Sequence, residues 1–400
     1  MSHFQLALLL GMTVALGPLA LDAYLPAFPD IADGFGIPHA DVGLTLSAYV
    51  ATLGLAQLVG GPLSDRYGRK LILFVGLTIF AIAAMMIAGA DTLAELAGWR
   101  IVQGIGGAFC AVSVPAIVRD QVGGQEAARL FGLIGLIMFI APAAAPSLGA
   151  LMLALGDWHW IFVFLAGYAL LLAVVLQIAL FPRLKPRPQA TTPVKTLVTN
   201  YLLVLRHSTT MRFVGIQVMC FSTMLLFITH SSFIYQEWFG LSNASFSMLF
   251  AANIGLMAVL NLVNRPLLRR FPSVILLRVQ VMLQFLMLVG LVTVVFLGGP
   301  FWAVALFIIG AIGCQGGIVP NNMANALEFF PHLGGTAAAM LGASQFTLAG
   351  GISALSSAFG GDALLPIVLS MLACSAGAVV LAAGAPAAIA REKARAETLA

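Results

Sequence analysis

Twelve long apolar runs, separated by short polar segments, leave this chain few ways to fold. The first six lie at about 4–27, 43–63, 71–89, 94–118, 130–152 and 159–181. The second six lie at about 212–235, 245–265, 274–297, 301–326, 335–358 and 363–390. Each is close to the roughly 20 apolar residues that a membrane-spanning helix needs. In lipid, every backbone polar group must be satisfied within the protein, so runs of this length are read as helices. Strands of a membrane barrel would be shorter and would alternate in polarity. The expectation is an all-α polytopic membrane protein with twelve transmembrane helices in two six-helix halves. Residues 1–181 form the first half and 210–390 the second. A hydrophilic linker at 182–209, with Pro182, Pro186, Pro188 and Pro193, joins them, and a charged tail at 391–400 closes the chain.

Composition agrees. Of 400 residues, 61% are hydrophobic and 8% charged, against about 25% charged in a soluble domain. The first run has no basic leader and no convincing cleavage site, so it is read as a retained span and not a signal peptide. The four cysteines, Cys110, Cys220, Cys314 and Cys374, all fall in apolar runs with no two close in sequence. They make no metal or disulfide pattern and are expected to fill core space.

Charge placement sets the orientation. With the N-terminus in the cytoplasm, every Lys and Arg except Arg100 falls at a cytoplasmic end, in the linker or in the tail. The opposite side carries only acids: Asp30, Asp33, Asp41, Asp91, Glu95, Asp157, Glu237 and Asp362. Such asymmetry is the positive-inside pattern. It predicts a multi-pass protein of a bacterial inner membrane with both termini cytoplasmic. The net charge of +4 therefore reflects topology and not nucleic-acid binding.

One polar stretch departs from a merely topogenic pattern. Gly61-Pro62-Leu63-Ser64-Asp65-Arg66-Tyr67-Gly68-Arg69-Lys70 holds three cations, one anion and two glycines between the second and third runs. Topology alone needs neither Asp65 nor the glycines Gly61 and Gly68, so a gating loop is expected. The second half echoes it weakly at Asn264-Arg265-Pro266-Leu267-Leu268-Arg269-Arg270, which suggests a repeat with a central site of the transporter kind.

Two charges lie within the runs. Asp22, in Leu21-Asp22-Ala23-Tyr24-Leu25-Pro26, costs about 2.5–3.5 kcal/mol at a span centre, and retaining it implies use. Pro18 and Pro26 flank it and predict a loosened helix. Arg100 lies in the outer half of the fourth run, with Gln103, Gly104 and Gly107 on its face by helical spacing. A direct Asp22–Arg100 pair is one arrangement these positions allow. A carboxyl poised between burial and a neighbouring cation can take a proton from one side and lose it to the other. In the fifth run, Ala141, Ala145 and Gly149 repeat every four residues as a packing face, and Pro142 and Pro146 are expected to bend the helix. Other intramembrane polar residues, among them Asn261, Gln280, Gln315, Asn321, Asn322 and Asn325, are read as hydrogen bonders between helices.

Together these residues resemble the major facilitator superfamily, and within it the twelve-span drug:proton antiporters. Gly61-x-Leu63-x-Asp65-Arg66-x-Gly68-Arg69-Lys70 is similar to the signature between spans 2 and 3. Arg100-x-x-Gln103-Gly104 resembles that of the fourth span. Ala145-Pro146-x-x-Gly149 resembles the antiporter signature of the fifth, with Ala145 in place of the usual glycine. Asp22-x-Tyr24-Leu25-Pro26, Ala141-Pro142 and Gly335-Thr336-Ala337 point to the Bcr/CflA group. The resemblance implies a proton-driven exporter by alternating access. Asp22 would be its proton or substrate carboxylate, with Tyr24 in the same motif, and Arg100 with Gln103 its electrostatic modulator. Asp65 would latch an inner gate against the eleventh span or Arg119. Val14 stands where some related exporters carry a second acid.

The expected partners are a small lipophilic drug, protons and the bilayer, with no nucleic acid, no metal, no cofactor beyond the coupling proton, and a monomeric chain. Export of a metabolite such as a nucleoside, sugar or siderophore by the same machinery is the alternative. An enzyme is not expected: the sequence holds no HExxH, paired-carboxylate or nucleophile motif and no Walker-type loop.

Overall fold

The computed structural model describes residues 3–122, 124–184, 194–330, 333–360, 363–390 and 392. Pro186, Pro188 and Pro193 of the linker, Asp362, and the tail apart from Glu392 lie outside the described residues. The described chain is all α, and twelve helices are long and apolar enough to cross a membrane. The first six are His3–Phe35, His39–Tyr67, Arg69–Ile87, Leu93–Gln121, Arg129–Leu155 and His159–Arg183; the second six are Ser208–Trp238, Asn243–Leu267, Ser273–Phe296, Phe301–Leu327, Gly334–Ala358 and Leu364–Ala390. All four cysteines are buried free thiols.

The chain divides into two compact units. One comprises Met1–Thr192 with Ile228–Ala251, the other Pro193–Phe227 with Ala252–Ala400.

In the first unit, the fourth span packs against the second and third, and the first span against the fifth. Glycines set these distances. A Cβ on Gly104 would stand 2.7 Å from the Tyr49 carbonyl oxygen of the second span, and one on Gly106 2.6 Å from the Phe80 nitrogen of the third. Small residues thus let backbones approach where lipid offers no hydrophobic drive for helix association. Near the end of the seventh span, Gln236 donates to the Pro26 carbonyl at 3.3 Å, and His39 Nδ1 lies 2.6 Å from Glu237 Oε2.

The second unit is held by uncharged amides. Asn321 Nδ2 donates to Asn264 Oδ1 at 2.9 Å and to Gln280 Oε1 at 3.1 Å, while Gln280 donates to Asn264 Oδ1 at 3.3 Å. These bonds tie the eighth, ninth and tenth spans. Pro320 lacks the N–H that would bond the Gly316 carbonyl; Asn261 Nδ2 of the eighth span fills that acceptor at 2.9 Å. Asn322 donates to the Phe213 carbonyl and to Gln217, and Gln315 to the Cys220 carbonyl. The interhelical role read from sequence for these amides is the one they fill. A helix of the linker, Val194–Arg206, buries Val204 against Ala337 and Met340.

Candidate functional site

The first span is interrupted at Asp22. An α-helix runs from His3 through Pro18 to Asp22, a 3₁₀ turn covers Leu25–Ala27, and a second helix covers Phe28–Phe35. The sequence explains the interruption. Pro26 has no N–H for the Asp22 carbonyl and disfavours helical geometry at Leu25. Pro29 in turn spares the Leu25 carbonyl, which accepts from Phe28 N–H instead. The loosening expected around Asp22 is therefore a local break on its Pro26 side, while Pro18 is carried inside the helix.

Asp22 is 4% exposed, and its Oδ1 has no hydrogen-bond partner. The break is held against the fifth span by Gly149. A Cβ there would stand 1.7 Å from the Ala23 carbonyl oxygen, so no side chain fits. The fifth helix is continuous through Pro142 and Pro146. Ala141, Pro142, Ala145, Pro146 and Gly149 are all buried, so the small-residue face read from sequence is a packing face.

Arg100 is fully buried in the fourth span. Its Nη1 donates to Gln103 Oε1 at 2.7 Å. Its Nε and Nη2 have no hydrogen-bond partner, nor has Gln103 Nε2. No ion pair joins Arg100 to Asp22 among the described residues, so the direct pair that the sequence allowed is not formed. Aromatic faces surround the guanidinium instead. Its Cζ lies 4.4 Å from the Tyr24 ring centroid, 4.5 Å from that of Tyr49 and 6.0 Å from that of Phe162. A desolvated cation–π contact contributes about 2 kcal/mol or more, and two close rings partly offset the burial of an unpaired charge. Tyr24 is itself fixed by Thr45 at 3.4 Å and by the Phe162 ring at 5.7 Å. Gly107, one of the residues read onto the Arg100 face, leaves room for the Tyr49 hydroxyl: a Cβ would stand 2.8 Å from it.

The stretch Gly61–Lys70 differs from the loop expected. The second span stays helical to Tyr67, the third starts at Arg69, and Gly68 alone makes the turn. Its φ of 96° is open to glycine and strained for any other residue. Arg69 sits between two carboxylates. Nη2 meets Asp65, Nε donates to Asp120 Oδ2 at 3.1 Å, and Nη1 to Ser64 Oγ at 3.2 Å. Asp65 thus pairs with Arg69 across the turn. Arg119, its expected partner from the fourth span, is exposed, and Asp120 is the residue that joins the cluster. Arg66 and Lys70 are exposed, and a Cβ on Gly61 would meet nothing within 4 Å.

Of the residues singled out from sequence, the structure gathers Tyr24, Arg100 and Gln103 at one place and Asp65, Gly68 and Arg69 at another. Tyr49, Phe162 and Asp120 were missed. Thr45 and Tyr49, one helical turn apart in an apolar span, and an acid at the basic end of the fourth span were the available signals.

Comparison with known proteins accords with this architecture. A 26% identical relative over 93% of this chain and 94% of its own length is a bicyclomycin resistance protein homolog of Haemophilus influenzae. An uncharacterised transporter of Bacillus subtilis is 30% identical over 88% of both chains. A chloramphenicol resistance protein of Pseudomonas aeruginosa is 29% identical over 87% of this chain and 82% of its own. Among solved structures, the xylose transporter of E. coli superposes with a TM-score of 0.72 at 13% identity, covering 96% of each chain. A nucleoside transporter superposes at 0.74 with 16% identity over 96% of this chain and 99% of its own. The family model of the Major Facilitator Superfamily matches residues 9–354, and the chain belongs to that superfamily of membrane transporters.

Proposed function

We propose that this chain is a proton-coupled multidrug exporter, exchanging protons for small lipophilic drugs by alternating access across a bacterial inner membrane. On this reading it works as a monomer of two six-helix halves, with both termini cytoplasmic and no cofactor beyond the proton. The observation that carries the proposal is Asp22: a buried carboxylate at a helix break, with an unpartnered oxygen and no ion pair to the buried Arg100. An acid kept at that cost is a functional group by default. Relatives named for bicyclomycin and chloramphenicol resistance support drugs as the cargo.

The steps are these. Asp22 takes a proton when the site opens outward and loses it when the site opens inward. Drug and proton exclude one another at Asp22, so inward proton flow drives outward export. Each pH unit supplies about 1.4 kcal/mol per proton, and the membrane potential about 2.3 kcal/mol per charge per 100 mV. The Arg69 cluster, holding the ends of three helices together, belongs to the inner gate.

Val14, apolar where a second acid would serve a cationic drug, favours cargo without a fixed positive charge. A nucleoside, sugar or siderophore also meets that requirement, and metabolite export is the second reading. A substrate screen in proteoliposomes separates the two. The decisive measurement is proton release from purified protein on adding chloramphenicol or bicyclomycin, together with gradient-driven uptake into inverted vesicles. Asp22→Asn is expected to abolish both; persistence of gradient-driven transport in that variant overturns the proposal.

A further inference from the structure

Among the described residues, Arg100 and Asp22 are the buried charged residues of the first unit's membrane core, yet no ion pair joins them. In low dielectric a guanidinium attracts a carboxylate more strongly than in water, and a buried charge left unpaired is costly. Here one donor goes to Gln103 and two find no acceptor. What surrounds the cation is aromatic: Tyr24 at 4.4 Å, Tyr49 at 4.5 Å and Phe162 at 6.0 Å. Tyr24 and Tyr49 also lie within electrostatic reach of Asp22. Both phenols are fully buried, and the Tyr49 hydroxyl has no hydrogen-bond partner. So the part of Tyr49 in use is its ring. Gly104 and Gly107, which bring the fourth span against the Tyr49 backbone and hydroxyl, hold that ring in place.

The geometry points to Tyr49 and Phe162, with Tyr24, as positioning residues: an aromatic cage that holds the Arg100 cation away from Asp22 and so leaves the carboxyl free to bind a proton. Resting on the proposed role of Asp22, this adds the element that sets where its proton binding falls on the pH scale. Loss of a ring frees the guanidinium to approach Asp22. A cation brought near a carboxyl favours its charged form, so the titration moves to lower pH. The titratable or charged groups that act electrostatically on Tyr49 include Asp22 and Tyr24 from the first span and Arg100 and Cys110 from the fourth. Tyrosine and cysteine titrate in the alkaline range, well away from an acidic shift.

The test reads Asp22 directly, without transport. Infrared difference spectra of full-length detergent-solubilised protein, titrated by pH, give the midpoint of the carboxyl band that Asp22→Asn removes. Tyr49→Phe, which keeps the ring, is expected to titrate as the parent does. Tyr49→Leu is expected to move the midpoint down by about one pH unit, a tenfold change in proton affinity. Adding Arg100→Gln to Tyr49→Leu should remove the downward shift, which loss of packing alone would not do. Phe162→Leu, at the more distant ring, should give a smaller shift of the same sign and serves if Tyr49→Leu does not fold. Parental midpoints in the leucine variants, or a shift that survives Arg100→Gln, overturn the cage. If transport survives Asp22→Asn while these shifts hold, the export mechanism fails and the cage stands.

Discussion

Arg69 illustrates how a single residue can be legible in type and not in partner. Its motif marked it as important, but a turn of one residue places it between Asp65 and Asp120, whereas the expected latch was from Asp65 to the eleventh span or Arg119. The Asp65 side chain is 42% exposed and that of Asp120 10%. Losing the exposed partner should cost little, within about 1 kcal/mol. Losing Arg69 removes the cation that two carboxylates share, one of them nearly buried, and should cost about 1–3 kcal/mol. Thermal unfolding in detergent is therefore expected to show Arg69→Ala well below Asp65→Ala. Equal midpoints would mean that the cluster is solvated and holds nothing. Asp22 was the opposite case: an acid deep in an apolar run is visible from sequence, because its depth in the span already makes it costly to insert.

Helices and their breaks were legible where backbone chemistry acts locally. Pro26 and Pro29 specify the interruption of the first span from within it, and Pro320 frees the carbonyl that Asn261 fills. The value of a glycine, by contrast, depends on what lies opposite. Gly61 and Gly149 both belong to signature motifs. Only Gly149 faces a backbone, the Ala23 carbonyl at 1.7 Å from its virtual Cβ. Gly149→Ala must push the fifth span off the break and should lower stability by about 1–3 kcal/mol or more, as overpacking does. Gly61→Ala, within a helix and facing open space, should raise it by about 0.5–1 kcal/mol. Chemical unfolding of the two variants side by side checks the contrast. A Gly149→Ala protein as stable as its parent would show that the break is soft.

For the molecule as a whole, orientation is the property that charge counting predicts most directly. Single cysteines introduced at Arg66 and Asp91, in a background with the four buried cysteines replaced by alanine, should label from opposite sides of the membrane. Arg66→Cys should react only after permeabilisation of intact cells, and Asp91→Cys before it. Labelling from one side for both would break the twelve-span topology. That topology follows from the lengths of the apolar runs and the side on which the cations fall, because partition between lipid and water acts on each segment almost independently. The environment of Arg100 is another matter. Tyr24, Tyr49 and Phe162 come from three different spans, and nothing in their spacing along the chain announces that they meet around one cation. Gly104 and Gly107 make room for the Tyr49 backbone and hydroxyl, and Gly149 for the Ala23 carbonyl. Such close approach is a property of facing surfaces, which exist only once the helices have packed.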